Sequence, residues 1–234
     1  MDGIGIGIPK MVSGTHYGNL QKVRGGKRTF GITPHIPGGF ITPEQLEKIA
    51  KVTKKYNGVI KITSGQRLLI TNLKGEDLPK IWDELGMEPA VKKQNSVKNV
   101  EMCPAGFCKR SKFNTIGTGM KLLNKYKHMD MPCRTKIGVA GCRNACGSVY
   151  SKDVGVIADK TGFLVTAGGS AGHNPRMADI LIKDVDEKEA LRIVDKIFEV
   201  YKGEAEAGEK LGDFIDRIGI EVFKAVSYTH LTLP

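Results

Sequence analysis

The chain has 234 residues, of which 40% are hydrophobic, and carries 36 Lys and Arg against 25 Asp and Glu, a formal net charge of +11. That length supports one large domain or two small ones with a core that needs no covalent staples. Met1 to Pro9 has no cationic start followed by a long apolar run, and no apolar run approaches the length needed to span a bilayer, so the cytoplasm is the expected location.

Residues 1–28 are glycine-rich and basic. GIGIGI, Gly3 to Ile8, lacks the preceding strand and the glycine spacing of a nucleotide loop and is read as an arm or an edge strand. FGITPHI, from Phe30, reads as a strand turned by Pro37-Gly38-Gly39. Thr42-Pro43-Glu44-Gln45 combines an N-cap, proline at the first helical position and glutamine three residues after the cap. Leu46, Ile49, Ala50 and Tyr56 keep helical spacing, and Gly58 ends it. Val59 to Ile62 and Leu68 to Ile70 predict two strands, and a second helix follows from about Asp77 to Gly86. With a short strand after Gly86, the order matches a ferredoxin-like unit.

The composition changes near Lys92. Residues 92–112 are basic and irregular, a helix is expected from Ser111 to Tyr126, and Lys136 to Ala140 reads as a strand leading into GCRNACG, Gly141 to Gly147. Val154 to Ala158 and Phe163 to Ala167 predict a hairpin. Asp186 to Glu189 caps a helix with the stripe Ala190, Ile193, Val194, Ile197 and Tyr201, and Leu211 to Phe223 gives one more helical segment. The fold class expected is α+β: an arm at 1–28, a ferredoxin-like half-domain at 29–90, an α/β domain at 91–226, and at 227–234 a tail, SYTHLTLP, read as non-native.

Five cysteines in a reducing compartment point to metal or redox work before disulfides. Cys103 and Cys108 sit in CPAGFC, and Cys142 and Cys146 in GCRNACG. Four thiolates from two short loops suit an iron–sulfur cluster, and zinc also accepts four; the spacings, four residues within the first pair and three within the second, decide for neither. Gly106, Gly141 and Gly147 let backbone amides approach the sulfurs. The bland alternative, small buried apolar residues, is weak for four cysteines in two glycine-flanked pairs, while Cys133 is left over as a core or loop residue or a substitute ligand. The charge surplus predicts an anionic partner.

GCRNACG, preceded by MPCRTK and followed by Gly168-Gly169, resembles the siroheme and 4Fe-4S region of nitrite and sulfite reductases; HIPGG, His35 to Gly39, and IKITSGQ, Ile60 to Gln66, resemble that family's ferredoxin-like half-domain. The resemblance spans about residues 29–200. It implies an α/β siroheme and iron–sulfur domain after the half-domain, a 4Fe-4S cluster on Cys103, Cys108, Cys142 and Cys146, and siroheme joined to the cluster through Cys146, so that electrons cross one sulfur. It implies reduction of sulfite to sulfide or nitrite to ammonia, with Lys98, Arg134 and Lys136 binding the oxyanion. Thr63, Gln66, Asn99, Asn144, Gly168, Gly169 and Arg176 would contact the macrocycle. Lys109, Arg110, Lys112 and Arg143 are further candidates for its carboxylates.

The chain departs from that family in the shortened first cysteine loop, in Arg143 where a proline is usual, and in His35 where an arginine is expected. It is also a single repeat where familiar members are tandem. Either the small protein works alone with a more open cofactor, or a homodimer completes the pocket about a two-fold axis. An acidic electron donor such as a ferredoxin suits the basic surface. Three other readings remain: an electron-transfer or siroheme-carrying subunit without turnover, a zinc-stabilised nucleic-acid-binding protein, and a plain ferredoxin-like cluster protein. Aromatics at 6% leave no stacking platform for nucleic acid, so neither nucleic acid nor a membrane is an expected partner.

Overall fold

The structure is a computed structural model that describes residues 17–23 and 25–228. GIGIGI and the last six residues of the SYTHLTLP tail lie outside the described residues. The chain divides into two compact units, Met1–Lys92 and Lys93–Pro234.

The first unit runs β1 (Asn19–Leu20), β2 (Phe30–Ile32), α1 (Pro43–Lys55), β3 (Val59–Ile62), β4 (Leu68–Leu73) and α2 (Leu78–Leu85). Its sheet has the order β1-β2-β4-β3, every pair antiparallel. The expected cap holds α1: Thr42 Oγ1 accepts from the Gln45 amide at 3.3 Å, and the Gln45 side chain accepts from the Thr42 amide at 3.2 Å. Gly86 closes α2 in the left-handed region, at φ 58. Ile49, Val52, Leu78, Ile81 and Leu85 pack on Phe30, Ile32, Ile70 and Leu73 to form the core.

The strand expected after Gly86 is instead a single bridge, Pro34 to Pro89, flanked by His35 N–H donating to Glu88 O at 2.7 Å and Ala90 N–H to Thr33 O at 2.9 Å. Two prolines facing each other lack the N–H groups that would extend a ladder.

The second unit runs β5 (Val97–Met102), α3 (Ile116–Tyr126), β6 (Thr135–Ala140), β7 (Val154–Ala158), β8 (Phe163–Ala167), β9 (Asp179–Val185), α4 (Glu187–Glu204), α5 (Leu211–Ile218) and α6 (Ile220–Tyr228). Its sheet has the order β5-β6-β7-β8-β9, with β5, β6 and β7 parallel and β8 and β9 antiparallel to their neighbours. One face packs under the helices: Val100, Met102, Ile137, Val139, Val154 and Val156 meet Leu122, Tyr126, Ile193, Ile197, Phe198 and Phe214. On the other face Ala140, Ile157 and Leu164 are covered by Ala145 and Val149 from the chain between β6 and β7.

Two strands escaped sequence reading. β5 falls in the basic stretch judged irregular, where lysines and Asn99 hide the alternation, and β9 is half exposed. Helix α3 begins at Ile116 rather than Ser111, because the Ser111 and Lys112 amides donate to Cys108 O at 3.1 Å and Gly141 O at 2.7 Å and tie that segment to the cysteine loops. Gly119, which weakens a helix on propensity, is needed inside α3: a Cβ there would stand 2.5 Å from Met102 Sδ on β5. The final helical segment is two helices, broken at Gly219 with φ 88.

Candidate active site

β5 and β6 are parallel neighbours, so their C-terminal ends lie side by side. Each feeds one cysteine loop. Cys103 follows Met102, a short 3-10 turn (Ala105–Phe107) follows it, and Cys108 ends that turn. Gly141 follows Ala140, and the chain then carries Cys142 and Cys146. All four thiols line one cavity of about 100 Å³, together with Pro104, Ser111, Ala140, Gly141 and Ala145. Cys103 and Cys142 are half-buried, and Cys108 and Cys146 are exposed.

The donor chemistry of this cavity fits ligating thiolates. The amides of Gly141 and Ala105 point at Cys103 Sγ, at 3.0 Å and 3.4 Å. Such donors stabilise a negatively charged sulfur. Gly141 is there because nothing larger fits: a Cβ would lie 2.1 Å from Ser111 Oγ and 3.4 Å from Ala105 Cα. Ala105 and Ala145 hold positive φ, 26 and 44, one in each loop. Such backbone costs on the order of 1 kcal/mol per residue and persists where the surroundings over-determine it. Among the described residues no three His, Cys, Asp or Glu groups converge closely enough for a single metal ion. Four thiols lining one cavity match the four-cysteine ligation of a 4Fe-4S cluster.

The expected oxyanion ligands lie elsewhere. Arg134 and Lys136 stand at the N-terminal end of β6, in a second pocket with Ser151, Asp153, Gly169, Ser170, Ala171 and Lys210. Asp153 Oδ2 accepts the Lys136 amide at 2.8 Å, and the Asp153 carbonyl accepts the Gly168 amide at 2.8 Å. Burial pushes the Asp153 carboxyl up to about 6. Burial also lowers the Lys136 ammonium, helped by the charge of Lys152. Lys152 makes a buried ion pair with Glu101 at 2.6 Å, which leaves Glu101 Oε1 without a hydrogen-bond partner. Asp153 and Lys210 were missed in the sequence; only the fold brings residues 134, 153 and 210 to one place.

The remaining candidates divide. Asn99 is buried on β5, opposite Lys136 in register. The Lys98 ammonium donates to the Lys93 carbonyl. Asn144 is exposed on the GCRNACG loop, and Arg143 beside it pairs with Asp159 at 3.1 Å. Thr63 and Gln66 belong to the first unit: Thr63 Oγ1 donates to Arg67 O at 2.9 Å, and Gln66 turns the chain at φ 55.

Arg176 is engaged by protein groups. Its guanidinium donates to both Asp216 oxygens at 2.8–3.1 Å, to Asp179 at 2.6 Å and to the Gly168 and Met177 carbonyls at 3.1 Å, so its donors are occupied by protein. Gly168 and Gly169 likewise serve packing: a Cβ on Gly169 would meet the Tyr150 and Lys152 carbonyls at 2.5 Å, and one on Gly168 would meet Arg176 Nη1 at 2.8 Å. These three residues fix the loop that walls the second pocket.

Comparison with known proteins agrees with this geometry. The nitrite and sulphite reductase 4Fe-4S domain matches residues 93–233, and the nitrite/sulfite reductase ferredoxin-like half domain matches residues 21–88. The chain belongs to the nitrite and sulfite reductase family. This is a family of oxidoreductases, and the first unit is its ferredoxin-like half-domain. The assimilatory-type sulfite reductase of Nitratidesulfovibrio vulgaris is 32% identical over 200 residues, 85% of this chain and 92% of that protein. The large subunit of the Escherichia coli nitrite reductase (NADH) is 31% identical over 214 residues, 89% of this chain but 25% of that protein. The solved structure of dissimilatory sulfite reductase I superposes with a TM-score of 0.77 at 16% identity, covering 88% of this chain and 70% of that one, which supports the α+β fold. Among the described residues no helix is long and apolar enough to cross a membrane.

Proposed function

We propose that the chain reduces sulfite or nitrite, with a 4Fe-4S cluster held by Cys103, Cys108, Cys142 and Cys146 and siroheme bound against it through the Cys146 sulfur. The observation that carries this reading is the convergence of the four thiols, from two loops 34 or more residues apart in sequence, on one cavity. When bound, the two groups supply one-electron reduction and an iron site for a sulfur or nitrogen lone pair.

The chain's own residues supply the rest. The Gly141 and Ala105 amides donate to the Cys103 sulfur from two loops and fix its position at the cavity. The Arg134 and Lys136 cations attract the oxyanion and offset its charge, Lys136 with an ammonium that burial makes easier to deprotonate. The net charge of +11 favours an acidic electron donor such as a ferredoxin. Arg134 and Lys136 precede or open β6 while Cys142 follows it. At ~3.3 Å per residue the strand separates its ends by about 17 Å. We therefore assign the cations to the cofactor of a second copy, in a homodimer.

Iron, acid-labile sulfide and the visible spectrum of anaerobically purified protein test the cofactor assignment, with turnover of sulfite and nitrite followed by a reduced dye. Siroheme bands with iron and sulfide in cluster proportion are expected. Replacing any of the four cavity cysteines by Ser removes iron and sulfide, while Cys133→Ser leaves both in place. A colourless protein containing zinc is the result that ends this reading.

A further inference from the structure

The Arg134–Lys136 pocket holds two groups with no part in the mechanism so far, Asp153 and Lys210. Its cations come from separate places in the chain: Arg134 and Lys136 at the start of β6, and Lys210 just before α5. Among the described residues none of the three side chains forms a hydrogen bond or salt bridge. Three cations around one carboxylate leave a local surplus of positive charge, so their convergence favours a further anion between them. The enclosed space is about 30 Å³ and opens to solvent, which suits a compact anion.

Asp153 is the acidic member of this pocket, and it is 9% exposed. Its Oδ2 is committed to the Lys136 amide. Lys136 at the start of β6 and Lys210 ahead of α5 act on it, Arg134 shares its pocket, Tyr201 approaches from α4 with Cys133 on its other contacts, and the Lys152–Glu101 pair lies beside Lys136. Burial outweighs the pull of Lys136 and Lys210 and leaves the carboxyl poised at about 6.

We propose that this pocket binds a compact inorganic oxyanion and takes up a proton with it, the proton residing on Asp153. An ionised Asp153 repels the anion at close range, whereas the neutral acid turns an acceptor into an O–H donor. The bound anion raises the proton affinity of Asp153 in return, since the coupling is reciprocal. One solvent proton joins one carboxylate oxygen, and no bond within the anion changes. Lys210 is a third cationic ligand beside Arg134 and Lys136. The inference rests on the reading that Arg134 and Lys136 gather the oxyanion.

Calorimetric titration with sulfate tests it, because sulfate stays fully ionised and is not reduced under these conditions. The protein is used as purified, at pH 5.5, 6.5 and 7.5, in buffers of different protonation enthalpy. Uptake of a fraction of a proton is expected, with affinity falling about tenfold from the lowest to the highest pH. Asp153→Asn keeps the shape and the hydrogen bond; it should retain binding but lose the proton uptake and the pH slope. Lys210→Ala should weaken binding several-fold and leave the slope. Sulfate binding without proton uptake, an unchanged slope in Asp153→Asn, or no sulfate binding at all overturns the proposal. Lys136→Met separates the two levels: it should lose both sulfate affinity and turnover. Loss of sulfate affinity with full turnover removes the pocket from the reaction and leaves the proton-coupled site standing.

Discussion

At the scale of single residues, Asp153 carries a stability signature of its own. Its folded carboxyl sits at about 6, above the ordinary 3.8, so the native state binds this proton more tightly than the unfolded chain does. The stability it contributes is fully present below the ordinary carboxylate range and is lost as pH rises through about 6. Asp153→Asn should therefore unfold at higher denaturant than the parent protein at pH 7.5, by up to about 3 kcal/mol, with the advantage vanishing near pH 4. Equal stabilities at both pH values would show that the carboxyl is not held up by burial. The four cavity cysteines were legible as residues because glycine-flanked pairs of thiols have few uses. Asp153 and Lys210 were not, because neither sits in a motif and an isolated Asp or Lys in sequence reads as surface. Arg176 is the opposite case: an arginine in a glycine-rich loop reads as a ligand, and the positions of Asp179 and Asp216 show which protein groups it also holds.

At the scale of elements, the strand ends matter most. The half-domain helices and the β7–β8 hairpin were written in capping residues and alternation, whereas β5 was obscured by Lys98, Asn99 and Glu101 inside a basic stretch. The two cysteine loops approach each other because β5 and β6 run parallel, and Gly141 sets how closely. Gly141→Ala forces a Cβ onto Ser111 Oγ and against Ala105. The expected result is a loss of stability on the order of 2 kcal/mol by denaturant unfolding, with lowered iron content. Adding Ser111→Ala removes the nearest atom and should recover part of both. A variant as stable and as iron-rich as the parent would mean the loops part at little cost.

At the scale of the whole molecule, the site residues fall into two groups at opposite ends of one strand. The homodimer proposed above would bring both groups to one site. Lys136→Met and Cys146→Ser chains, each inactive alone, should recover activity when co-expressed, since a mixed pair contains one site with both sets intact. Sedimentation of the mixture should show the dimer that carries it. No recovery in a demonstrated mixed dimer would place both groups in the same chain's site.

The segment from Gly141 to Asp153 has a second identity beside ligand loop. It is the crossover that connects two parallel strands, β6 and β7, so the sheet cannot close until it is laid down. Parallel pairing of this kind is slow to assemble because the loop must be ordered before the strands meet. A cluster held by Cys142 and Cys146 would draw on the same stretch of chain that zips the sheet, so loading it is expected to raise stability in denaturant unfolding.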